Sequence, residues 1–187
     1  MTLLLAVATR AYQIMAADCH TIFTYDGEFL EPALKIQPWA DGYLAYAGSV
    51  HIRDLILQSH PTSLDELIAA SNSTAKKTIQ INDKASSHFE FMALLPSGLW
   101  AIHPHSLPVF VEGTWAIGIH SNIAFYLLRQ MSWDVPTRDA CRQIMDIYRD
   151  LIEQRSTVIA WPISLAIMCD GAKELETYDG SKFSPIL

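Results

Sequence analysis

The sequence predicts an α+β fold in which two mostly antiparallel sheets pack face to face and helices cover both outer sides. Three observations lead there. Alternating apolar runs pair off around short polar turns at the start of the chain and again between His88 and Ile102, the pattern of β-hairpins. Apolar residues fall at helical spacing in two blocks, one after Val50 and one after Ser121. The resulting order is strands, two helices, strands, two helices, strands, which gives each sheet one face for its partner sheet and one for a helix pair.

The elements follow in order. Thr2-Leu-Leu-Leu-Ala-Val-Ala-Thr9 and Tyr12-Gln-Ile-Met-Ala-Ala-Asp18 flank the polar turn Arg10-Ala11 and form the first hairpin, so Thr2 begins a strand and Asp18 lies just past the end of its partner, where the two can be neighbours. Gln37 to Gly42 is turn-like, with Asp41-Gly42 a hairpin signal before the strand Tyr43 to Ala47. Ile52, Leu55 and Ile56 predict a helix, Pro61 interrupts it, and Ser63-Leu-Asp-Glu66 is a capping box opening a short second helix through Leu67 and Ala70. The polar stretch Ser71 to Ser87 reads mostly as loop, with Thr78 to Ile81 as an optional strand. His88 to Leu95 and Leu99 to Ile102 make a second hairpin around Pro96-Ser-Gly98, and Pro108 to Glu112 and Trp115 to Ile117 add short strands. Two helices, Ser121 to Met131 and Thr137 to Ile152, are separated by Asp134-Val-Pro136. The apolar run Val158 to Cys169, broken by Pro162 and Ser164, is too short to cross a bilayer as a helix and reads as a buried strand.

With 187 residues, half of them apolar, the chain is expected to form one domain with a substantial core. Its 13 basic and 20 acidic residues leave a formal charge of −7, and the basic ones are scattered, which argues against nucleic acid or an anionic membrane as partner. The run Leu3 to Ala8 has no basic residue before it and ends at Thr9-Arg10, so it is not a secretory h-region, and a cytoplasmic location is expected. Three cysteines without paired spacing, Cys19, Cys141 and Cys169, read as reduced thiols.

The chemistry concentrates between Thr2 and Gly48. Removal of Met1 would leave Thr2 with a hydroxyl nucleophile and a free α-amine on one carbon; such an amine titrates near ~7.7–8.0 and can take the hydroxyl proton. A retained Met1 would turn that amine into an amide, which is no base at neutral pH. A lysine near the hydroxyl lowers the cost of an alkoxide, and a carboxylate beside the lysine orients it; Lys35 and Asp18 are the candidates. Gly48, at the end of a strand, can bring its N–H to a reacting carbonyl with no Cβ in the way.

This order of Thr2, Asp18, Lys35 and Gly48 resembles the proteasome β-subunit family, including the bacterial proteasome-like peptidases among the N-terminal-nucleophile hydrolases. Asp18 follows Thr2 at the family's interval, and Lys35 sits one residue later than an ungapped match would put it. Ala116-Ile-Gly-Ile-His-Ser121 looks like the family's A-I-G-x-G-S segment, whose last Ser supports the catalytic Thr; His120 stands where the family has glycine, and Ser121 is kept. The family also places an Asp and a Ser around the Thr amine after the last long helix. Glu153 and Ser156 offer that pair with Glu for Asp, while Thr157-Val158 stand where the family has two glycines.

The resemblance covers nearly the whole chain and implies the four-layer αββα sandwich of the N-terminal-nucleophile hydrolases. It further implies a threonine peptidase in which Thr2 attacks a peptide carbonyl, its own amine moves the proton, Lys35 with Asp18 tunes the nucleophile, and the Gly48 N–H stabilises the oxyanion. Thr21, Tyr46 and Val50 would bind substrate, the last two bordering an apolar specificity pocket. No metal or organic cofactor is implied. The implied partners are a polypeptide substrate, a homo-oligomeric ring and an ATP-dependent unfoldase.

Other readings compete with these. The same fold and self-association could serve a structural protein without turnover, and the same nucleophile could serve a small-molecule amidase. His103-Pro-His105 and Cys19-His20 match zinc patterns poorly. Ser49 and Ser106 lack the context of a nucleophile elbow. Trp39, Trp100, Trp115, Trp133 and Trp161 read as core and contact surface.

Overall fold

The computed structural model describes residues 2–19, 34–80, 89–154 and 159–180. Strands β1 (Leu3–Ala8), β2 (Tyr12–Asp18), β3 (Ile36–Trp39) and β4 (Gly42–Gly48) precede helices α1 (Val50–Leu57) and α2 (Leu64–Gln80). Strands β5 (Phe89–Leu95), β6 (Gly98–Ile102), β7 (Val109–Phe110) and β8 (Gly113–Gly118) follow, then α3 (Ser121–Gln130), α4 (Thr137–Gln154), β9 (Ile163–Cys169) and β10 (Ala172–Tyr178). They form two five-stranded sheets: sheet I in the order β10-β9-β2-β1-β8 and sheet II in the order β3-β4-β5-β6-β7, every pairing antiparallel. The α+β four-layer sandwich expected from the sequence is the fold observed.

The layers follow from which way alternate side chains point. On β1, Leu3, Leu5 and Val7 enter a core shared with Ile144, Tyr148 and Leu151 of α4, while Leu4 and Ala6 enter a second core between the sheets with Met92 and Leu94 of β5. A third core, with Leu44, Tyr46 and Phe91, lies between sheet II and helices α1 and α2. Both faces of the central strands are thus buried, which is why β1 reads as a continuous apolar run. Burying each large apolar side chain of this kind contributes about 1.5–3 kcal/mol.

Three local departures from the sequence expectation have physical causes. The polar stretch expected to be loop continues α2 to Gln80; below Glu66 its buried face is a stripe of Leu67, Ser71 and Ala75, one residue per turn and only one of them large. Thr78 to Gln80 are helical, and Ile81 lies outside the described residues. Gln37-Pro38-Trp39, expected in a turn, pairs with β4, and Pro38 is tolerated because β3 is an edge strand. Beyond Cys169, β10 forms from the charged run Ala172-Lys-Glu-Leu-Glu-Thr-Tyr178, whose polar alternation suits a sheet edge.

The capping box also differs in detail. The Ser63 hydroxyl accepts the Glu66 N–H at 3.3 Å, and the Glu66 carboxylate accepts both the N–H (2.7 Å) and the hydroxyl (2.9 Å) of Thr62. The returning carboxylate therefore satisfies the residue before the cap.

Helix α4 is tied to sheet I by Tyr148, whose buried hydroxyl lies 2.8 Å from the Leu3 carbonyl and 3.1 Å from that of Ala16. Tyr148→Phe keeps the packing and removes both contacts. It should lower the unfolding free energy by about 1–2 kcal/mol, read from the urea midpoint at unchanged m-value.

Candidate active site

Antiparallel pairing brings the first residues of β1 and the last residues of β2 and β8 to one end of sheet I. The register sets Leu4 opposite Ala17 and Leu3 opposite Gly118. In sheet II, Gly48 is opposite Phe89 and Phe91 opposite Ile102, so the end of β4, the start of β5 and the end of β6 meet at one end as well. The two ends enclose a cleft of about 670 Å³. Thr2 lines it with Ala47, Gly48, Phe89, Glu90, His103 and Pro104 from the sheet II side and Gly118, Ile119 and Ser121 from the sheet I side.

Thr2 is held by its backbone. Its carbonyl accepts the Ile119 N–H at 2.9 Å. A Cβ on Gly118 would stand 1.9 Å from the same carbonyl oxygen and 3.5 Å from the Ala47 Cβ, and the Gly118 φ is +90°. Only glycine satisfies both constraints. Two residues on, His120 caps α3 with φ 57° and ψ 15°, the left-handed conformation a glycine adopts freely and histidine adopts at some cost. The backbone shape that the glycine of an A-I-G-x-G-S segment would allow is therefore present with histidine in its place, and Ser121 follows on the first turn of α3, at the cleft.

Behind Thr2, Asp18 is fully buried. One carboxylate oxygen accepts the Leu3 N–H at 2.9 Å, and the other accepts Lys35 Nζ at 2.7 Å. One side chain thus orients both the start of β1 and the ammonium. Burial pulls the Lys35 pKa below its ordinary value, while the Asp18 charge and hydrogen bond push the other way. Neither residue lines the cleft; they form a charged layer beneath its threonine.

Around this pair the core is polar but satisfied. Cys19 Sγ lies 3.0 Å from Ser164 Oγ, which lies 3.1 Å from Thr177 Oγ1. Burial raises the Cys19 pKa, so the thiol remains protonated and inert at neutral pH.

Several expected site residues lie elsewhere. Tyr46 belongs to the core under α1 and α2: its ring packs against Phe91 at 4.9 Å and its hydroxyl bonds to the Ser49 carbonyl, because even-numbered β4 residues face the helices. It does not border the cleft, and neither does Val50, the first residue of α1. Glu153 is solvent-exposed on the last turn of α4, which extends two residues past its expected end, and is not among the cleft residues. Thr21 and Ser156 lie outside the described residues, as does His20. Among the described residues, no group of three metal-ligating side chains is gathered.

Two cleft residues had no assigned catalytic place in the sequence. His103 Nδ1 lies 2.7 Å from Glu90 Oε1. The signal was available in the hairpin: a register that pairs Leu95 with Gly98 and Phe91 with Ile102 brings Glu90 and His103 together one step further on. The Glu90 hydrogen bond raises the His103 pKa above its ordinary value against partial burial.

A second cavity, about 320 Å³, opens between the start of α4 and strands β9 and β10, lined by Cys141, Cys169 and Glu174 among others. Burial, aided by Glu176 and Glu174, pushes the Cys141 thiol up to about 12. Cys141 is therefore a protonated thiol and no nucleophile at neutral pH.

The Asp18–Lys35 pair yields a stability prediction. Asp18→Ala leaves a buried ammonium without its carboxylate and should cost about 3–5 kcal/mol in chemical denaturation, with part of the loss recovered in the Asp18→Ala, Lys35→Met double variant. Gly118→Ala should cost at least about 2 kcal/mol in the same assay through the forced backbone shift.

No protein-family model matches the chain, and no curated protein matches it in sequence. Solved structures do. A mutant form of Anbu from Hyphomicrobium sp. strain MC1 superposes with a TM-score of 0.75 at 14% identity, covering 98% of this chain and 89% of that one. Anbu from Pseudomonas aeruginosa, solved as a helical assembly, gives 0.77 at 15% identity over 97% and 88%. BPH from Thiobacillus denitrificans in complex with epoxomicin gives 0.67 at 19% identity over 90% and 98%. At these identities the likeness is one of fold: the chain shares its four-layer sandwich with these Anbu and BPH structures along nearly its whole length.

Proposed function

We propose that this chain is a proteasome-like threonine peptidase whose nucleophile is Thr2, exposed by removal of Met1. The observation that carries the proposal is the double use of Asp18, which binds the Leu3 N–H and Lys35 Nζ directly behind a threonine whose backbone is locked at the head of a cleft. A structural threonine at a strand start has no use for a buried ammonium beneath it, whereas a nucleophile does.

The steps follow from the positions. Thr2 Oγ adds to the carbonyl carbon of a peptide bond while its proton passes to the α-amine of the same residue. The carbonyl electrons move to oxygen, and the Gly48 N–H, on the cleft wall at the end of β4, is the donor for that oxyanion. The amine returns the proton to the leaving nitrogen, leaving an ester on Thr2. Water, deprotonated by the same amine, hydrolyses the ester and restores the hydroxyl. Lys35, charged and held by Asp18, lowers the cost of alkoxide character at Oγ through space. Ser121, beside Thr2 on the cleft, supports the amine.

The chain acts on polypeptide in the cytoplasm, in a homo-oligomeric ring that an ATP-dependent unfoldase could feed. Self-association is in keeping with the Anbu structure solved as a helical assembly. No helix among the described residues is long and apolar enough to cross a membrane. Two other readings make different predictions: a fold retained for assembly without turnover, and an amidase for a small molecule.

Intact mass spectrometry and hydrolysis assays separate the three. The peptidase reading expects Met1 to be absent, peptide hydrolysis by the processed chain, and a loss of at least about 10³-fold in kcat with Thr2→Ala. Full retention of Met1, or equal turnover by Thr2→Ala, would remove Thr2 as the nucleophile. Turnover confined to small amides would favour the amidase.

A further inference from the structure

We propose that the Glu90–His103 pair is a specificity element of the Thr2 cleft that accepts the basic side chain, lysine or arginine, of a peptide substrate. The inference rests on the peptidase reading for its substrate class and on the cleft itself for its chemistry.

The pair stands on the cleft wall formed by the start of β5 and the chain just past β6, in the cavity that Thr2 also lines. Its two members meet at 2.7 Å through Glu90 Oε1 and His103 Nδ1, which leaves the chemistry of the second carboxylate oxygen to a ligand. Both side chains are partly exposed, at 33% for Glu90 and 27% for His103, so a ligand can reach them, and partial shielding strengthens a charge contact there beyond that of an open surface. The Trp115 ring of β8 lies 6.5 Å from the His103 ring and supports it from the sheet I side.

Charge decides the sign of the preference. Among the described residues lining the cleft, Glu90 and His103 are the titratable side chains. Sheet I contributes Gly118, Ile119 and Ser121, which carry no charge, and β4 contributes Ala47 and Gly48. The remaining group is the α-amine of a processed Thr2. With Glu90 as the carboxylate, the pair is neutral when His103 is protonated and carries one negative charge when it is not. A cationic side chain is then favoured over an anionic one, and most when the histidine is neutral.

The pH dependence follows. Because Glu90 raises the His103 pKa, the change falls above the ordinary histidine value of about 6.5. Preference for a basic over an apolar side chain should increase as pH rises through that point. The Thr2 amine titrates in the same range but acts on both substrates alike, so the ratio of their rates isolates the pair.

The test uses the processed full-length protein and matched fluorogenic peptides that differ only in Arg or Leu near the scissile bond. Expected is an Arg:Leu ratio of kcat/KM that rises from about pH 5.5 to about pH 8.5. The ratio should fall roughly five- to tenfold in Glu90→Gln and lose its pH dependence, at the high-pH level, in His103→Gln. Binding of the same peptides to Thr2→Ala, read by calorimetry, supplies a measure independent of turnover, and there too Glu90→Gln should weaken Arg-peptide binding alone.

The outcomes are distinct. Cleavage with an Arg:Leu ratio unaffected by Glu90→Gln overturns the inference and leaves the peptidase reading standing. Absence of cleavage with Glu90-dependent binding of the Arg peptide overturns the peptidase reading and supports the pocket. Neither cleavage nor Arg-selective binding overturns both.

Discussion

A carbonyl–amide contact of 2.9 Å between Thr2 and Ile119 leaves no space for a side chain at residue 118, and the shape of the cleft follows from that exclusion. Sheet I is closed over the first residue of β1 by β8, with the backbone at Gly118 turned to a positive φ so that the chain can leave the strand and enter α3. Leu3 is then held from two further directions, its N–H by Asp18 and its carbonyl by Tyr148. Strand β2, the turn that leads from β8 into α3, and helix α4 converge on two residues at the start of the first strand. A strand end ordinarily frays; this one is fixed from several sides.

The same convergence explains how a buried ammonium is tolerated. An isolated charge in the interior would lose its proton or unfold its surroundings, and here the compensating carboxylate is itself anchored by a backbone N–H. Asp18 and Lys35 are not among the residues that line the cleft, whose walls carry polar and aromatic groups instead.

Much of this was legible in the sequence, for identifiable reasons. β1, β2 and β4 announce themselves because apolar runs bounded by turn residues have few alternatives, and α4 because Ala140, Ile144, Tyr148 and Leu151 repeat at helical spacing. Thr2, Asp18, Lys35 and Gly48 were singled out by chemistry and order, and hairpin pairing placed Asp18 beside the start of β1. The second half of α2 was hidden because so little of it is apolar, and β10 because charged edge strands resemble loops. Tyr46 was misplaced for a simpler reason. A step of two from Gly48 stays on one face of β4, and that face, which Tyr46 shares with Leu44, packs against the helices, while Ala45 and Ala47 face the other sheet. Glu90 and His103 are far apart in sequence chemistry and adjacent only through register.

The borders of the two sheets carry a last implication. β3 presents Pro38, which lacks a donor; β10 presents Lys173 and Glu174; β7 is two residues long. Three of the four outer strands are therefore poor templates for another chain's backbone. At those three edges backbone pairing between copies is disfavoured, and the sandwich is guarded there against the strand-upon-strand growth that turns bare β-edges into fibres.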